Sequence, residues 1–344
     1  MSPPLDIALI SLGTTPGLRR SDEAFADLVR AAGATCHVVP VRIGASAVLR
    51  RSAPTTDFVE ALAARGAARG VEARSIVFST ITAALFQQPD VPFGIRFDAL
   101  ASLNRPGLGG AWQRVRERRV MDRAEVLMPV SRGAAEAVEG METLVVRVPI
   151  PVEEIHGAPE RDIHAVAYSG GQRKRGLDVI CAAWAETAPD GARLVIGGGS
   201  RERGLRLLRR AGVPEPPGVE WAGQLERERW VDLVRRARVF LNGSTWEDFG
   251  IAAMEALAAG TPLVTVPTPG SFEALPLARE LAPDLVAADV SAEELAVALR
   301  AGLALDQGAR DSYRQHALEL LRPYRQDALR EVVAEQVLPA LAIA

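Results

Sequence analysis

Hydrophobic positions fall into two recurring patterns along the chain. Short apolar runs occupy residues 5–12, 36–41, 75–79 and 126–130, with the length and continuity of strands buried on both faces. The first run ends in Gly13-Thr-Thr-Pro-Gly17, a turn. Between the runs lie stretches of helical period. One is expected to open at Ser21 and Asp22, continue through Phe25, Leu28 and Val29, and end near Gly33. Ser131 is placed to cap a helix that starts at Gly133. Strands alternating with helices predict βαβ units and a parallel sheet covered on both faces.

The rhythm breaks at Val148-Pro-Ile-Pro-Val152, where two prolines remove amide donors. It resumes with strands at 164–169, 193–196, 219–221, 239–241 and 262–266, and helices at 177–186 and 251–259. The predicted class is therefore α/β. A doubly wound, Rossmann-like domain spans 1–150, a linker spans 151–162, and a second such domain spans 163–322. Residues 323–344 read as a C-terminal helix able to return to the first domain. Ligands are expected at the carboxyl ends of the strands, in a central cleft that the two domains face.

Bulk properties agree with two soluble domains. The 344 residues are 48% hydrophobic and 24% charged. A net charge of −3 supplies no global field for nucleic acid. Cys36 and Cys181 suit neither a disulfide framework nor a metal site. The start, Met-Ser-Pro-Pro-Leu-Asp, lacks a signal-peptide pattern, and no apolar run reaches the roughly 18 residues of a membrane span, so a cytoplasmic protein is expected. The chain is rich in Ala, Arg and Gly, as proteins of GC-rich bacterial genomes tend to be. Among 40 basic residues Lys174 is the one lysine, which draws notice to its position.

The densest chemistry lies in Ser244-Thr-Trp-Glu247-Asp-Phe-Gly250-Ile-Ala-Ala-Met-Glu255-Ala-Leu-Ala-Ala-Gly260-Thr-Pro262. Glu247 falls in a loop before a helix and Glu255 about one turn into it. Gly250 allows close backbone approach, and the free amides of the first turn suit a diphosphate. Such an element could hold a diphosphate at the amides near Gly250, ribose hydroxyls at Glu255 and sugar hydroxyls at Glu247. Each residue also has a plainer reading, as dipole partner, core or cap.

The string as a whole resembles the Glu-x7-Glu signature of retaining GT-B glycosyltransferases, especially glycosyltransferase family 4. Glu247, Phe249, Gly250, Glu255, Ala256, Ala258, Gly260 and Pro262 match it. The resemblance covers most of residues 160–275. It includes Tyr168-Ser-Gly170-Gly171-Gln-Arg173-Lys174-Arg175-Gly176, placed where the family grips the donor diphosphate, and Trp221-Ala-Gly223-Gln-Leu225 near the nucleotide base. It implies a GT-B fold and transfer of a sugar from a nucleotide-diphosphate sugar with retention; the lack of an obvious nucleophile fits front-face displacement, the lack of an Asp-x-Asp pair after a strand leads to metal-independent turnover as the expectation, and no cofactor is expected. By the resemblance Glu247, Arg173, Lys174 and Asp98 are catalytic. Glu255, Arg175, Phe249, Gly250, Ile251, Gly223, Leu225, Gly13, Gly170 and Gly171 bind the donor.

The match has departures. Ser169 and Gly170 stand where the family has an Arg, and Arg175 stands in its Lys position. In Pro92-Phe-Gly-Ile-Arg96-Phe97-Asp98, Phe97 stands where many relatives have a His. Asp98 or Arg96 is left to contact sugar or acceptor, and Asp98 is equally placed to cap the next turn. The partners implied are a nucleotide sugar and an unidentified acceptor. Arg114, Arg116, Arg118 and Arg119 keep a peripheral membrane contact open, and oligomeric state is left open. The rival class is a non-catalytic GT-B protein that binds sugar nucleotide or a partner.

Overall fold

The structure is a computed structural model; the residues described are 5–43, 53–105, 107–157, 160–169 and 172–343. The chain divides into two compact units, Met1–Pro151 with Tyr324–Ala344, and Val152–Pro323.

The first unit runs β1 (Leu5–Ser11), α1 (Pro16–Ala31), β2 (Cys36–Pro40), α2 (Ala53–Ala68), β3 (Ala73–Phe78), α3 (Ile81–Ala84), β4 (Phe93–Phe97), α4 (Ala101–Asn104), α5 (Ala111–Met121), β5 (Val126–Pro129), α6 (Arg132–Glu136) and β6 (Leu144–Val145). All neighbours pair in parallel, in the order β2-β1-β3-β4-β5-β6. Helix α1 begins five residues earlier than the hydrophobic period indicates. Thr15 accepts a bond from the Leu18 amide at 3.1 Å and Pro16 supplies a preset φ, so capping chemistry sets this end. Ser131 likewise caps α6 through the Ala134 amide at 3.1 Å, one residue ahead of expectation.

The second unit runs β7 (Ile163–Tyr168), α7 (Leu177–Thr187), β8 (Leu194–Gly197), α8 (Arg201–Ala211), β9 (Val219–Gly223), α9 (Arg227–Arg236), β10 (Ala237–Asn242), α10 (Ile251–Ala258), β11 (Leu263–Thr265), α11 (Ala274–Leu281), α12 (Ala292–Ala304) and α13 (Gln307–Leu320). Its parallel order is β11-β10-β7-β8-β9. Chain direction across the sheet reverses between β7 and β10. In open α/β sheets the loops leaving two such strands diverge and leave a crevice. The basic segment follows β7 and the acidic motif follows β10, so the topology delivers both to that crevice.

The tail, α14 (Gln326–Val332), a π turn (Val333–Val337) and α15 (Leu338–Ala340), belongs to the first unit. Leu329, Val333, Val337, Leu338 and Leu341 enter one core cluster with Ile7, Leu9, Phe25 and Leu28. No helix among the described residues is long and apolar enough to cross a membrane.

Candidate functional site

The loop from β10 to α10 is tied down by polar side chains. Asn242 Nδ2 donates to Thr265 Oγ1 at 2.9 Å and Thr268 Oγ1 at 3.2 Å. Ser244 Oγ lies 2.7 Å from Asn242 Oδ1 and 3.0 Å from Glu247 Oε1. The Glu247 amide donates to the Pro269 carbonyl at 3.1 Å, joining this loop to the one after β11. Gly250 then turns the chain into α10 at φ +81°, and a Cβ there would lie 2.4 Å from the Phe272 ring. Only glycine meets both demands. Phe249 is buried beside it, and Ile251 opens the helix half-buried.

The segment after β7 forms a 3-10 turn, Arg173–Arg175, that ends at Gly176 in the left-handed conformation. A Cβ on Gly176 would lie 1.7 Å from the Gly243 carbonyl oxygen, so the two loops touch backbone to backbone. The Thr245 amide donates to the Lys174 carbonyl at 2.8 Å and fixes their register. The side chains follow. Arg175 bonds Glu247 Oε1, and Lys174 Nζ lies 3.3 Å from Asp248 Oδ2. Arg173 projects exposed from the same turn. Of the expected ligands, Arg175 is thus paired with Glu247 and Lys174 with a neighbouring acid. Gly170 and Gly171 lie outside the described residues.

Glu255 is buried on α10, and its Oε2 accepts a bond from Trp230 Nε1 at 3.0 Å. Arg227 Nε lies 3.8 Å from Oε1. Gly223 ends β9 and Leu225 follows it, both half-buried, in the connection that leads into α9. Ser271 Oγ, in the loop after β11, is buried without a partner among the described residues. Asp248, Ser244 and Trp230 escape the sequence reading. Asp248 and Ser244 sit within the motif and were legible as polar neighbours; Trp230 lies 25 positions from Glu255 and reads as ordinary core.

In the first unit Gly13 stands in the β1–α1 connection at φ +51°, its carbonyl bonded by Arg19 Nη1 at 2.6 Å. Arg96 corrects an expectation. It is turned into the core, not toward a ligand. Its guanidinium donates to the Ser21 carbonyl and hydroxyl at 3.3 Å, lies 4.6 Å over the Phe25 ring, and stands 3.7 Å from Asp22 Oδ1. A side chain in the middle of a doubly covered sheet must point at a helix, and α1 supplies the countercharge. Burial pushes Asp22 up to about 6 and Arg96 down to about 10. Phe97 is buried at the end of β4, and Asp98 follows it half-buried.

Chemically, the second unit gathers three cationic side chains, two acids of the motif and an uncapped helix start at one crevice. That set is suited to a polyanion carrying hydroxyl groups.

Residues 163–304 match the family model described as glycosyl transferases group 1. No curated protein matches the chain. Among solved structures, sucrose-phosphate synthase from Thermosynechococcus elongatus superposes with a TM-score of 0.74 at 18% identity, covering 98% of this chain and 99% of that one. Alr3699/HepE from Anabaena, solved with UDP-glucose, gives 0.69 at 13% identity over 97% and 99%. A glycosyltransferase from Rickettsia africae gives 0.65 at 12% identity over 100% of both chains. The chain shares their fold, two parallel-sheet Rossmann-like units of the GT-B type.

Proposed function

We propose that the chain, whose residues 163–304 match the family model of group 1 glycosyl transferases, moves a sugar from a nucleoside-diphosphate sugar to an acceptor, with retention of anomeric configuration. The observation that carries this reading is the meeting of the Arg173–Arg175 turn with Glu247 and the first turn of α10 at the switch point of the second sheet.

As the bond from sugar to diphosphate breaks, negative charge grows on the β-phosphate. Arg175, Lys174, Arg173 and the α10 amides are the groups that stabilise it, Arg175 and Lys174 by leaving their carboxylate partners for the phosphate. Glu255 takes the ribose hydroxyls. Glu247 takes hydroxyls of the transferred sugar once the diphosphate engages Arg175. No side-chain nucleophile is assigned; the leaving diphosphate helps deprotonate the acceptor on the same face. Charge neutralisation by fixed cations makes turnover independent of a divalent metal. Acceptor recognition is assigned to the first unit.

UDP-glucose is the first donor to test, since HepE of the same fold was solved with it. Purified chain is incubated with UDP-, ADP- and GDP-sugars and a panel of sugar acceptors, with and without EDTA. Nucleotide release together with a new α-linked product is expected, unaffected by EDTA. Glu255→Ala should raise donor KM and Glu247→Ala should lower kcat, each by about tenfold or more, the size of one or two charge-assisted hydrogen bonds. Binding without transfer across the panel would identify a non-catalytic sugar-nucleotide-binding protein instead.

A further inference from the structure

We infer that Trp230 is a positioning residue for Glu255 and sets how sharply the site discriminates the ribose of its nucleotide; this rests on the donor role proposed for Glu255. A buried carboxylate needs hydrogen-bond donors to hold one orientation. The Trp230 indole N–H donates to Oε2 at 3.0 Å, and Arg227 stands on the Oε1 side at 3.8 Å. An indole nitrogen donates and never accepts, so this bond has one polarity and one geometry.

The indole is itself held. Its ring meets Tyr168 edge-on at 5.4 Å and Phe240 edge-on at 6.2 Å. It lies against the backbone of Gly197, where a Cβ would come within 2.7 Å of its ring. Tyr168 in turn carries the Arg175 guanidinium 5.6 Å above its ring, and Arg175 bonds Glu247. A packed chain, Glu247–Arg175–Tyr168–Trp230–Glu255, therefore connects the two acids of the motif. Rotation of the Glu255 carboxylate would break the Trp230 bond. Trp230 touches neither reacting atom in this scheme; it acts through Glu255.

The test uses the full chain with Trp230→Phe, which keeps a ring and removes the N–H, and Trp230→Tyr as a second variant in case the first is unstable. UDP and 2′-deoxy-UDP are titrated calorimetrically, with the ADP and GDP pairs run in the same way. Wild type should prefer the ribose form by about tenfold, the value of one good hydrogen bond to a charged group. Glu255→Ala should abolish that preference, Trp230→Phe should cut it to about two- to threefold, and the double variant should match Glu255→Ala. In the transfer assay Trp230→Phe should raise donor KM while leaving kcat within about twofold, a split that general loosening of the fold would not give. Full discrimination retained in both Trp230 variants, with Glu255→Ala losing it, overturns the inference and leaves the donor site standing. Discrimination retained in Glu255→Ala, or no nucleotide bound at all, overturns both.

Discussion

Lys174 and Arg175 meet carboxylates that a bound diphosphate would have to displace. Arg175 is shared with Glu247, and Lys174 with Asp248. In the proposed reaction, binding a diphosphate exchanges one anion for another, and the released Glu247 becomes available to hydroxyl groups. Glu247→Gln weakens the resident competitor. It should tighten UDP binding about three- to tenfold even as sugar transfer falls by a similar factor, because a charge-assisted bond exceeds a neutral one by roughly 1 kcal/mol. Calorimetry and initial rates measure the two effects; unchanged or weaker UDP binding would contradict the exchange.

A second residue-scale effect concerns Glu117. It is buried on α5, accepts the Ala101 amide at 3.0 and 3.1 Å, and burial pushes it up to about 7. Its pKa is higher folded than unfolded, so the folded state holds the proton longer. The associated stability is full below about pH 4.5 and is lost as pH rises through 7. Glu117→Gln mimics the protonated form and should gain roughly 1–3 kcal/mol over wild type at pH 8 while matching it at pH 4.5. Urea unfolding at the two pH values decides; a pH-independent difference would refute the assignment.

At the scale of the element, α10 carries the site from one end to the other. Its N-terminus is left uncapped by any side chain, so its first-turn amides are open to the diphosphate of the proposed donor. Its C-terminus is neutralised: Arg161 Nη2 donates to the Gly260 carbonyl at 3.0 Å and Arg314 Nη1 lies 3.4 Å from the Ala259 carbonyl. The entry angle depends on Gly250, held at φ +81° against Phe272. Gly250→Ala should cost about 1–3 kcal/mol in unfolding experiments, from left-handed strain and displacement of the ring. It should weaken UDP binding as well, since the first-turn amides would shift with the helix start. An alanine variant with native stability and native affinity would remove this account.

At the scale of the whole molecule, the chain ends by completing the core with which it began. After Pro323 it re-enters the first unit, where Ser75 Oγ donates to the Leu341 carbonyl at 2.6 Å and Arg74 Nη2 to the Ala342 carbonyl at 3.1 Å. Leu341 and Val337 are fully buried beside α1 and β1 residues. The tail is thus part of the core of the first unit. Leu341→Ala should destabilise that unit by about 2–5 kcal/mol, the usual cost of a leucine-sized cavity. Thermal unfolding should show a lowered transition; an unchanged melting curve would mean that the tail is dispensable.

The sequence by itself determined the alternation of strand and helix, the break near Pro149 and Pro151, and the acidic motif with its glycine. Those features are local: apolar runs, proline chemistry and capping are properties of neighbouring residues. Only the tertiary structure decided which charges meet. The pairing of Arg175 with Glu247 spans 72 positions, and that of Arg96 with Asp22 joins β4 to α1. Such partners are set by strand order, because parallel crossovers bring remote loops to one sheet edge. Whether Arg96 or Asp98 faces a ligand was for this reason left open by the sequence, and Trp230 passed unnoticed. An apolar ring gives no sign in sequence of the carboxylate its one N–H will find.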